Sequence, residues 1–272
     1  MYIIFDLDDT LLNYNSDVDD FTLCTLRYFQ NRGHKLVINT ARSLKNTIKL
    51  IEKIKPDFSI LYGGSLIVDS SLNPIFKSVI DKQVLNNVIK ELVNNVDGMS
   101  IETIDTLYTS DKEYRGEYFD FKNEVFNDEA YKLLFCTTNY PLRDEISLKY
   151  DLNKETYRNL IWHRYVNKDV SKALGIKHLL RINGGTLDDC IAFGDDYGDV
   201  EMLNICKYGA IMKNAYMDVK QKVTCKECDN NNDYGVARFL LNLERENVLW
   251  EEITTEEMID STEKKNINQL IR

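Results

Sequence analysis

The sequence predicts an α/β protein whose parallel-sheet core is interrupted by a smaller α+β insertion. Three observations lead to this fold class. Strand-like and helix-like segments alternate with short joins up to about residue 62, which favours parallel strands and right-handed crossovers. From about residue 80 strands outnumber crossover helices, as in antiparallel sheets. The alternation then resumes, so we expect a core of residues 1–79 and 167–245, an insertion of residues 80–166, and a tail, 246–272, of unassigned role.

The first strand is the apolar run Tyr2 to Phe5, which stops in Asp6-Leu7-Asp8-Asp9-Thr10. On an extended backbone the carboxylates of Asp6 and Asp8 share one face beyond the carboxyl end of the strand, where open α/β sheets bind ligands. Crowded carboxylates are stabilised by a divalent cation, and an aspartate can also act as a nucleophile that forms an acyl-phosphate. The alternative is an ordinary acidic turn.

The rest of the first core segment repeats the pattern of a strand followed by polar residues. A helix that starts among Ser16, Asp17, Asp19 and Asp20 and stops at Gly33 precedes the second strand, Lys35 to Asn39, which ends in Thr40-Ala41-Arg42. After a helix capped by Ser43, a third strand, 57–62, ends in Gly63-Gly64.

In the insertion, strand-like segments outnumber helix-like ones, which favours an antiparallel sheet with a few helices. We expect a helix over 83–96, a hairpin of 100–104 and 107–110, a strand over 132–137, a helix from Pro141 and a long alternating strand over 157–165. Polar residues that could contact a substrate from this insertion are Arg115, Glu117, His163 and Arg164, although ordinary surface or packing roles are the alternative.

The second core segment contains another acidic strand end. We expect a helix over 170–182, with Lys172 near its start. A strand over 190–193 then leads into Gly194-Asp195-Asp196-Tyr197-Gly198-Asp199. A strand over 210–212 and helices over 214–220 and 234–243 complete this segment. In the tail, Thr254-Thr255-Glu256-Glu257 matches a helix capping box.

Composition narrows the class of protein. With 43% hydrophobic and 29% charged residues, the 272-residue chain is typical of a globular protein. A net charge of −10 argues against binding nucleic acid or anionic membranes. There is no signal-peptide pattern and no apolar run of membrane-spanning length, and the scattered cysteines suit reduced thiols. We therefore expect a cytoplasmic protein; its oligomeric state is not predicted.

Together the polar strand ends supply what phosphoryl transfer needs. Asp6 offers a nucleophile, Asp195 and Asp199 offer metal ligands, Thr40 a hydroxyl and Lys172 an ammonium group. In this combination and order the motifs resemble the haloacid dehalogenase superfamily, specifically its Cof-type phosphatases with a C2-type cap. The matching stretches are Asp6-Leu7-Asp8-Asp9-Thr10, Thr40-Ala41-Arg42, Val170-Ser171-Lys172-Ala173 and Gly194-Asp195 followed by Asp199 and Met202-Leu203.

The resemblance implies a Rossmann-like core, a mobile cap, a magnesium ion and hydrolysis of a small phosphorylated metabolite. It implies that Asp6 attacks phosphorus and that Asp8 protonates the leaving oxygen and then activates water. Magnesium would be held by Asp6, the Asp8 backbone carbonyl and Asp195, with Asp199 as a direct or water-mediated ligand, and Asp196 as a possible substitute. Residues expected to bind the phosphoryl group or substrate are Thr10, Thr40, Arg42, Gly64, Lys172 and Asn214.

Three positions depart from the usual family pattern. Ala41 stands where glycine is usual, and Gly63 and Gly198 stand where asparagine is usual. These changes keep every principal catalytic group but remove supporting contacts. They leave two alternatives to a phosphatase: a phosphomutase that uses the same nucleophile, and a catalytically silent protein that binds a phosphorylated metabolite.

Overall fold

The structure is a computed structural model, and it describes residues 1–157 and 161–246. The first elements in chain order are β1 Tyr2–Phe5, α1 Asp20–Asn31, β2 Lys35–Asn39, α2 Leu44–Ile54, β3 Phe58–Leu61, β4 Leu66–Asp69, β5 Pro74–Lys77, α3 Lys82–Leu92, β6 Gly98–Glu102, β7 Leu107–Thr109 and β8 Glu117–Tyr118. They are followed by β9 Lys132–Cys136, α4 Tyr140–Lys149, β10 Leu152–Thr156, β11 Trp162–Asn167, α5 Lys172–Asn183, β12 Cys190–Gly194, α6 Val200–Ile205, β13 Tyr208–Met212, α7 Met217–Lys220, β14 Lys226–Cys228 and α8 Gly235–Arg245. The chain divides into two compact units, described in turn below.

Among the described residues, the first unit comprises Met1–Ile38, Ile54–Asp57 and residues 185–246. Its strands are parallel and lie in the order β14-β13-β12-β1-β2. Strands β12 and β1, in the middle of this order, are rich in buried apolar residues, as is usual for parallel strands whose two faces are both covered by other elements. Helix α1 packs against α8, and its start is fixed by Asp19, whose carboxylate accepts a hydrogen bond from the Thr22 N–H.

The second unit comprises Asn39–Lys53 and Phe58–Gly184. It contains an antiparallel run, β3-β4-β5, on which α5 packs. It also contains a six-stranded sheet in the order β10-β11-β9-β6-β7-β8, in which only the β7–β8 pair is parallel among the described pairings. Helix α3 begins at the Asp81 cap and buries a stripe at helical spacing against this sheet, formed by Leu85, Val88, Ile89 and Leu92.

Most expected elements are present with boundaries shifted by a few residues. The predicted strands at 2–5 and 35–39 are reproduced, as is the hairpin of β6 and β7 around Asp105-Thr106. The single long strand predicted over 157–165 is wrong in extent: only its second half is strand, in β11, which pairs antiparallel with the unpredicted β10, and residues 158–160 lie outside the described residues. The predicted capping box at 254–257 also lies outside them.

Two further features were not expected from the sequence. The hairpin of β4 and β5 falls in a stretch for which no strands were predicted. The backbone after Phe5 does not continue as a strand but forms a wide turn over Leu7–Leu11, which closes with a hydrogen bond from the Leu12 N–H to the Leu7 carbonyl. Within the described residues, every helix is too short or too polar to cross a membrane.

Candidate active site

Three buried carboxylates converge at the carboxyl ends of β1 and β12. One oxygen from each of Asp6, Asp195 and Asp199 lies within 4.8 Å of the other two, and each of these residues is at most 6% exposed. Asp6 directly follows β1, and its N–H donates to the Phe193 carbonyl of the neighbouring strand at 3.1 Å. The parallel register of β1 and β12 therefore brings Asp6 and Asp195 to the same edge of the sheet.

The third carboxylate is held by the loop after β12. One oxygen of Asp199, Oδ2, accepts hydrogen bonds of 3.1 Å from the backbone N–H groups of Asp195 and Asp196. A Cβ atom at Gly194 would lie 2.4 Å from the Asp199 Cβ, so only glycine permits this approach. Asp196 lies outside the group of three carboxylates, and its side chain accepts a hydrogen bond from the Tyr197 N–H instead.

Thr10 and Asn214 support this carboxylate group. The buried Thr10 hydroxyl donates to Asp195 Oδ1 at 2.8 Å. The Asn214 side chain donates to the Asp9 carbonyl at 2.7 Å and accepts from the Asn231 N–H at 3.1 Å. Both side chains thus position the loops around the carboxylates, and their expected phosphate-binding role stays a prediction.

Asp8 differs from its neighbour Asp6 because its side chain is exposed. Asp8 has extended dihedral angles, and Asp9 after it adopts a left-handed conformation with φ of 56°. The turn therefore separates a buried carboxylate at Asp6 from a solvent-accessible one at Asp8. The Asp8 carboxyl group is therefore open to exchange of protons with solvent.

In the second unit the structure brings together the ends of β2 and β3 and the start of α5. Thr40 is buried, and its carbonyl accepts from the Gly63 N–H at 2.8 Å, while its hydroxyl oxygen accepts from the Arg42 N–H at 3.2 Å. Gly64 has φ of 115°, and a Cβ there would lie 2.3 Å from the Ser171 carbonyl oxygen. The glycine therefore allows close contact between the end of β3 and the start of α5.

Lys172 is the first residue of α5 and is 5% exposed. Ser171 caps the helix by accepting from the Leu174 N–H at 3.1 Å, and Asn39 donates from its side chain to the Lys172 carbonyl at 3.0 Å. These contacts fix the backbone from which the ammonium group extends. Asn39, which the sequence analysis did not single out, therefore helps to position Lys172.

Of the residues that the sequence analysis considered as substrate contacts from the insertion, two, His163 and Arg164, are buried and two are exposed. His163 is fully buried, and its ring nitrogens lie 2.9 Å from Thr156 Oγ1 and 3.0 Å from the Thr137 carbonyl oxygen, so it serves the packing of the sheet. Arg115 and Glu117 are exposed.

The sequence analysis did not single out Lys132, yet this lysine is buried on β9 and its ammonium group donates to the Ala41 carbonyl at 2.9 Å. A lysine inside an apolar strand pattern was the available signal.

With this geometry described, comparison with known proteins assigns the chain to a family. Residues 3–240 match the model of the haloacid dehalogenase-like hydrolases. The chain belongs to this family. A relative from Bacillus subtilis, the 5-amino-6-(5-phospho-D-ribitylamino)uracil phosphatase YcsE, is 27% identical over 240 residues, which cover 87% of this chain and 92% of the relative.

Solved structures share the fold of this haloacid dehalogenase-like hydrolase. A phosphatase of the same superfamily from Bacteroides thetaiotaomicron has a TM-score of 0.78 at 20% identity and covers 89% of this chain and 94% of its own. The HAD subclass IIB sugar phosphatase BT4131 has a TM-score of 0.75 at 19% identity, with coverages of 89% and 98%. The predicted family, fold class and enzyme class are confirmed: the protein is a phosphatase of the haloacid dehalogenase superfamily.

Proposed function

We propose that this phosphatase hydrolyses the phosphate ester of a small metabolite with magnesium, through an aspartyl-phosphate on Asp6. The observation that carries the proposal is the group of three buried carboxylates at Asp6, Asp195 and Asp199, whose oxygens lie within 4.8 Å of one another. Carboxylates buried this close together repel one another unless a cation or protons neutralise them. A core of residues 1–79 and 167–245 with a cap of residues 80–166 remains our proposed domain organisation.

The donor set fits magnesium. Asp6, Asp195 and Asp199 offer only hard oxygen atoms, which Mg²⁺ prefers, and no histidine or cysteine belongs to the group. We assign these three carboxylates and the Asp8 carbonyl as the residues that would hold the ion. When bound, magnesium supplies positive charge that offsets the charge on the phosphoryl oxygens.

The protein groups account for both halves of the proposed reaction. A carboxylate oxygen of Asp6 forms a bond to phosphorus while the bond from phosphorus to the ester oxygen breaks, and Asp8 gives its proton to the departing alkoxide. In the second half Asp8 takes a proton from water, whose oxygen attacks phosphorus and releases phosphate and the Asp6 carboxylate. The exposed position of Asp8 is consistent with both transfers.

For the second unit we propose phosphate-binding roles. The Thr40 hydroxyl would donate to a phosphoryl oxygen, and the Lys172 ammonium would balance negative charge. Arg42 and Gly64 are further candidates, since the Arg42 N–H donates to the Thr40 hydroxyl oxygen and Gly64 directly follows Gly63, whose N–H donates to the Thr40 carbonyl. The contacts that hold Lys172 in place through Asn39 and Ser171 support a fixed position for its charge.

The nucleophile is tested by phosphate release from an aryl phosphate, with and without magnesium, for the native chain and for Asp6→Asn. The substitution keeps the size of the side chain but removes the nucleophilic charge, so we expect a loss of at least about a thousandfold in kcat. Asp188→Asn changes an exposed acid outside the carboxylate group and is expected to keep native activity. Equal activity of the native and Asp6→Asn chains would contradict the assignment.

The substrate class is tested with a panel that follows the named relatives. Sugar phosphates and phosphorylated ribityl compounds are the first choice, because relatives include a sugar phosphatase and a phosphatase of a ribitylaminouracil phosphate. We expect free phosphate as the product. A rearranged sugar phosphate would instead indicate a phosphomutase, and tight binding without turnover across the panel would indicate a silent binding protein.

A further inference from the structure

A groove in the first unit runs beside helices α1 and α8, which pack against each other. Its volume is about 400 Å³, and its apolar lining includes Phe21 of α1 together with Tyr234 and Leu241. Arg238 and Arg245 of α8 also line it. These positions recur at helical spacing, so the groove follows one face of α8. Aromatic and cationic walls of this kind suit an occupant that is both apolar and acidic.

The turn before α8 holds the aromatic end of the groove in place. Tyr234 has φ of 61°, a left-handed conformation that is uncommon for a bulky residue. Its ring lies edge-on against Phe21, with centroids 5.2 Å apart. A Cβ at Gly235 would lie 2.2 Å from the Asp229 carbonyl oxygen, so the backbone of the turn is closely packed as well. The surrounding contacts therefore fix this strained turn, and the groove is preformed.

The arginines of the groove are open to an acidic partner. Arg238 Nη1 lies 3.9 Å from Asp229 Oδ2, and about half of each side chain is exposed, so this ion pair is weak. Arg245 is exposed and forms no ion pair within residues 1–157 and 161–246. With two arginines against one aspartate, the lining has an excess of positive charge in a chain whose net charge is −10.

The segment that follows α8 in the sequence has the matching chemistry. Residues 247–263 contain six acids and no lysine, arginine or histidine. The same segment contains large apolar side chains, namely Val248, Leu249, Trp250, Ile253, Met258 and Ile259. The family match ends at residue 240, so these residues lie beyond the shared fold.

Attachment to α8 favours this segment over a separate partner. At a rise of about 1.5 Å per helical residue, the groove from Tyr234 to Arg245 is about 16 Å long, whereas an extended residue spans about 3.3 Å. About five residues therefore cover it once the chain has reversed direction. A tether this short gives an effective concentration in the millimolar range, so weak, exposed ion pairs are enough for binding.

We propose that residues 247–263 bind in the groove of their own chain, with acids beside Arg238 and Arg245 and Trp250 on the apolar lining. The groove ends next to the turn that contains Asn231, whose side chain donates to the Leu12 carbonyl at 2.7 Å. The bound segment therefore stabilises the first unit without contacting the three carboxylates. This role is independent of the phosphatase reaction.

Trp250 reports directly on binding. The chain has two tryptophans, so Trp162→Phe leaves Trp250 alone, and we expect acrylamide to quench its fluorescence poorly in the full chain. Arg238→Glu with Arg245→Glu turns attraction into repulsion, so the ratio of bound to unbound segment should fall by about tenfold and quenching should rise. Arg181→Glu is the matched control, because Arg181 is also exposed in the last turn of a helix but lies outside the groove; it should leave quenching unchanged.

An exchange of charges tests the pairing itself. Glu251→Lys with Glu252→Lys is expected to expose Trp250 as the arginine changes do, and combining both sets of changes should restore much of the lost protection. Native-like quenching in the arginine variant, or strictly additive losses in the combination, would refute the proposal. Protection that depends on protein concentration, together with a dimer by light scattering, would also refute it, because the segment would then bind a second copy.

Melting temperatures provide a second readout that keeps both tryptophans. The arginine variant is expected to melt a few degrees below the native chain, and the charge-exchanged combination is expected to recover much of this loss. Phosphate release from an aryl phosphate should stay at the native level, since neither arginine belongs to the proposed active site. Unchanged melting temperatures in every variant would overturn the proposal.

Discussion

One buried side chain of the first unit, His34, shows how burial keeps an ionisable group neutral. His34 is 5% exposed and packs edge-on against Phe29, with ring centroids 5.6 Å apart. Burial lowers the pKa of His34 to about 4, and the positive charges of the N-terminal amine and Arg32 act in the same direction. The folded protein therefore keeps this imidazole neutral at pH values where an unfolded chain binds a proton.

His34 is expected to make stability depend on pH. Its pKa is about 4 when folded and 6.5 when exposed, so the unfolded chain binds more protons between these values and stability falls as pH drops through this window. From pH 7 to pH 5 the loss due to this group is about 2 kcal/mol. Urea unfolding of the native chain and of His34→Leu at both pH values measures it. The same pH-dependent loss in both chains would contradict the assignment.

The site residues differ in how far the sequence reveals them. Asp6, Asp195 and Asp199 follow strands in sequence, and parallel neighbours end at the same edge, so their convergence was predictable. Lys132 and Arg164 were not predictable as parts of one group, because their proximity to Ala41 and Gly63 depends on the packing of strands distant in sequence. A lysine in an apolar strand pattern marks Lys132 as unusual, but one sequence does not show which residue its side chain contacts.

Among elements, strands with a clear boundary were predictable and hairpins with obscure turns were not. The strand at 2–5 ends abruptly in charged residues, which marks its boundary. Strand β10, Leu152–Thr156, was not predicted, because Asn153, Lys154 and Glu155 give it no apolar alternation, and the single strand predicted over 157–165 began too early for β11, which starts at Trp162. Between β4 and β5, the Asp69 carboxylate accepts from the Ser71 and Asn73 N–H groups, a turn signal that was available but unused.

The contact between the end of β3 and the start of α5 yields a prediction about an element. Gly64→Ala places a Cβ 2.3 Å from the Ser171 carbonyl oxygen, so the helix start must shift and Lys172 with it. We expect a loss of about 3 kcal/mol or more in stability and a large loss of phosphatase activity.

A matched control separates this collision from the cost of the backbone conformation. Gly184, which ends α5, also has a positive φ, of 79°, but a Cβ there has no neighbour within 4 Å. Its ψ of 156° places it in a region that essentially only glycine adopts, so Gly184→Ala is expected to cost the backbone strain alone, on the order of 1–3 kcal/mol, and less than Gly64→Ala. Urea unfolding of both variants provides the comparison, and equal losses would show that the contact with Ser171 is unimportant.

At the scale of the whole molecule, the predicted site residues divide between two compact units. Asp6, Asp195 and Asp199 belong to the first unit, and Thr40 and Lys172 belong to the second. The two groups have opposite charge, so different ligands are expected to stabilise them: a cation for the carboxylates and a phosphate group for the lysine. The stability of the chain can therefore report on the metal site without a substrate.

Magnesium is expected to raise the melting temperature by relieving repulsion among the three buried carboxylates. At a concentration a hundredfold above its dissociation constant, a ligand of the folded state adds about 2.7 kcal/mol of stability. Thermal unfolding with magnesium and with a chelator measures this shift. Asp195→Asn removes one charge of the group, so it should abolish most of the shift, whereas the exposed change Asp188→Asn should preserve it. If Asp195→Asn kept the full native shift, the ion would bind elsewhere, and these carboxylates would not form the metal site.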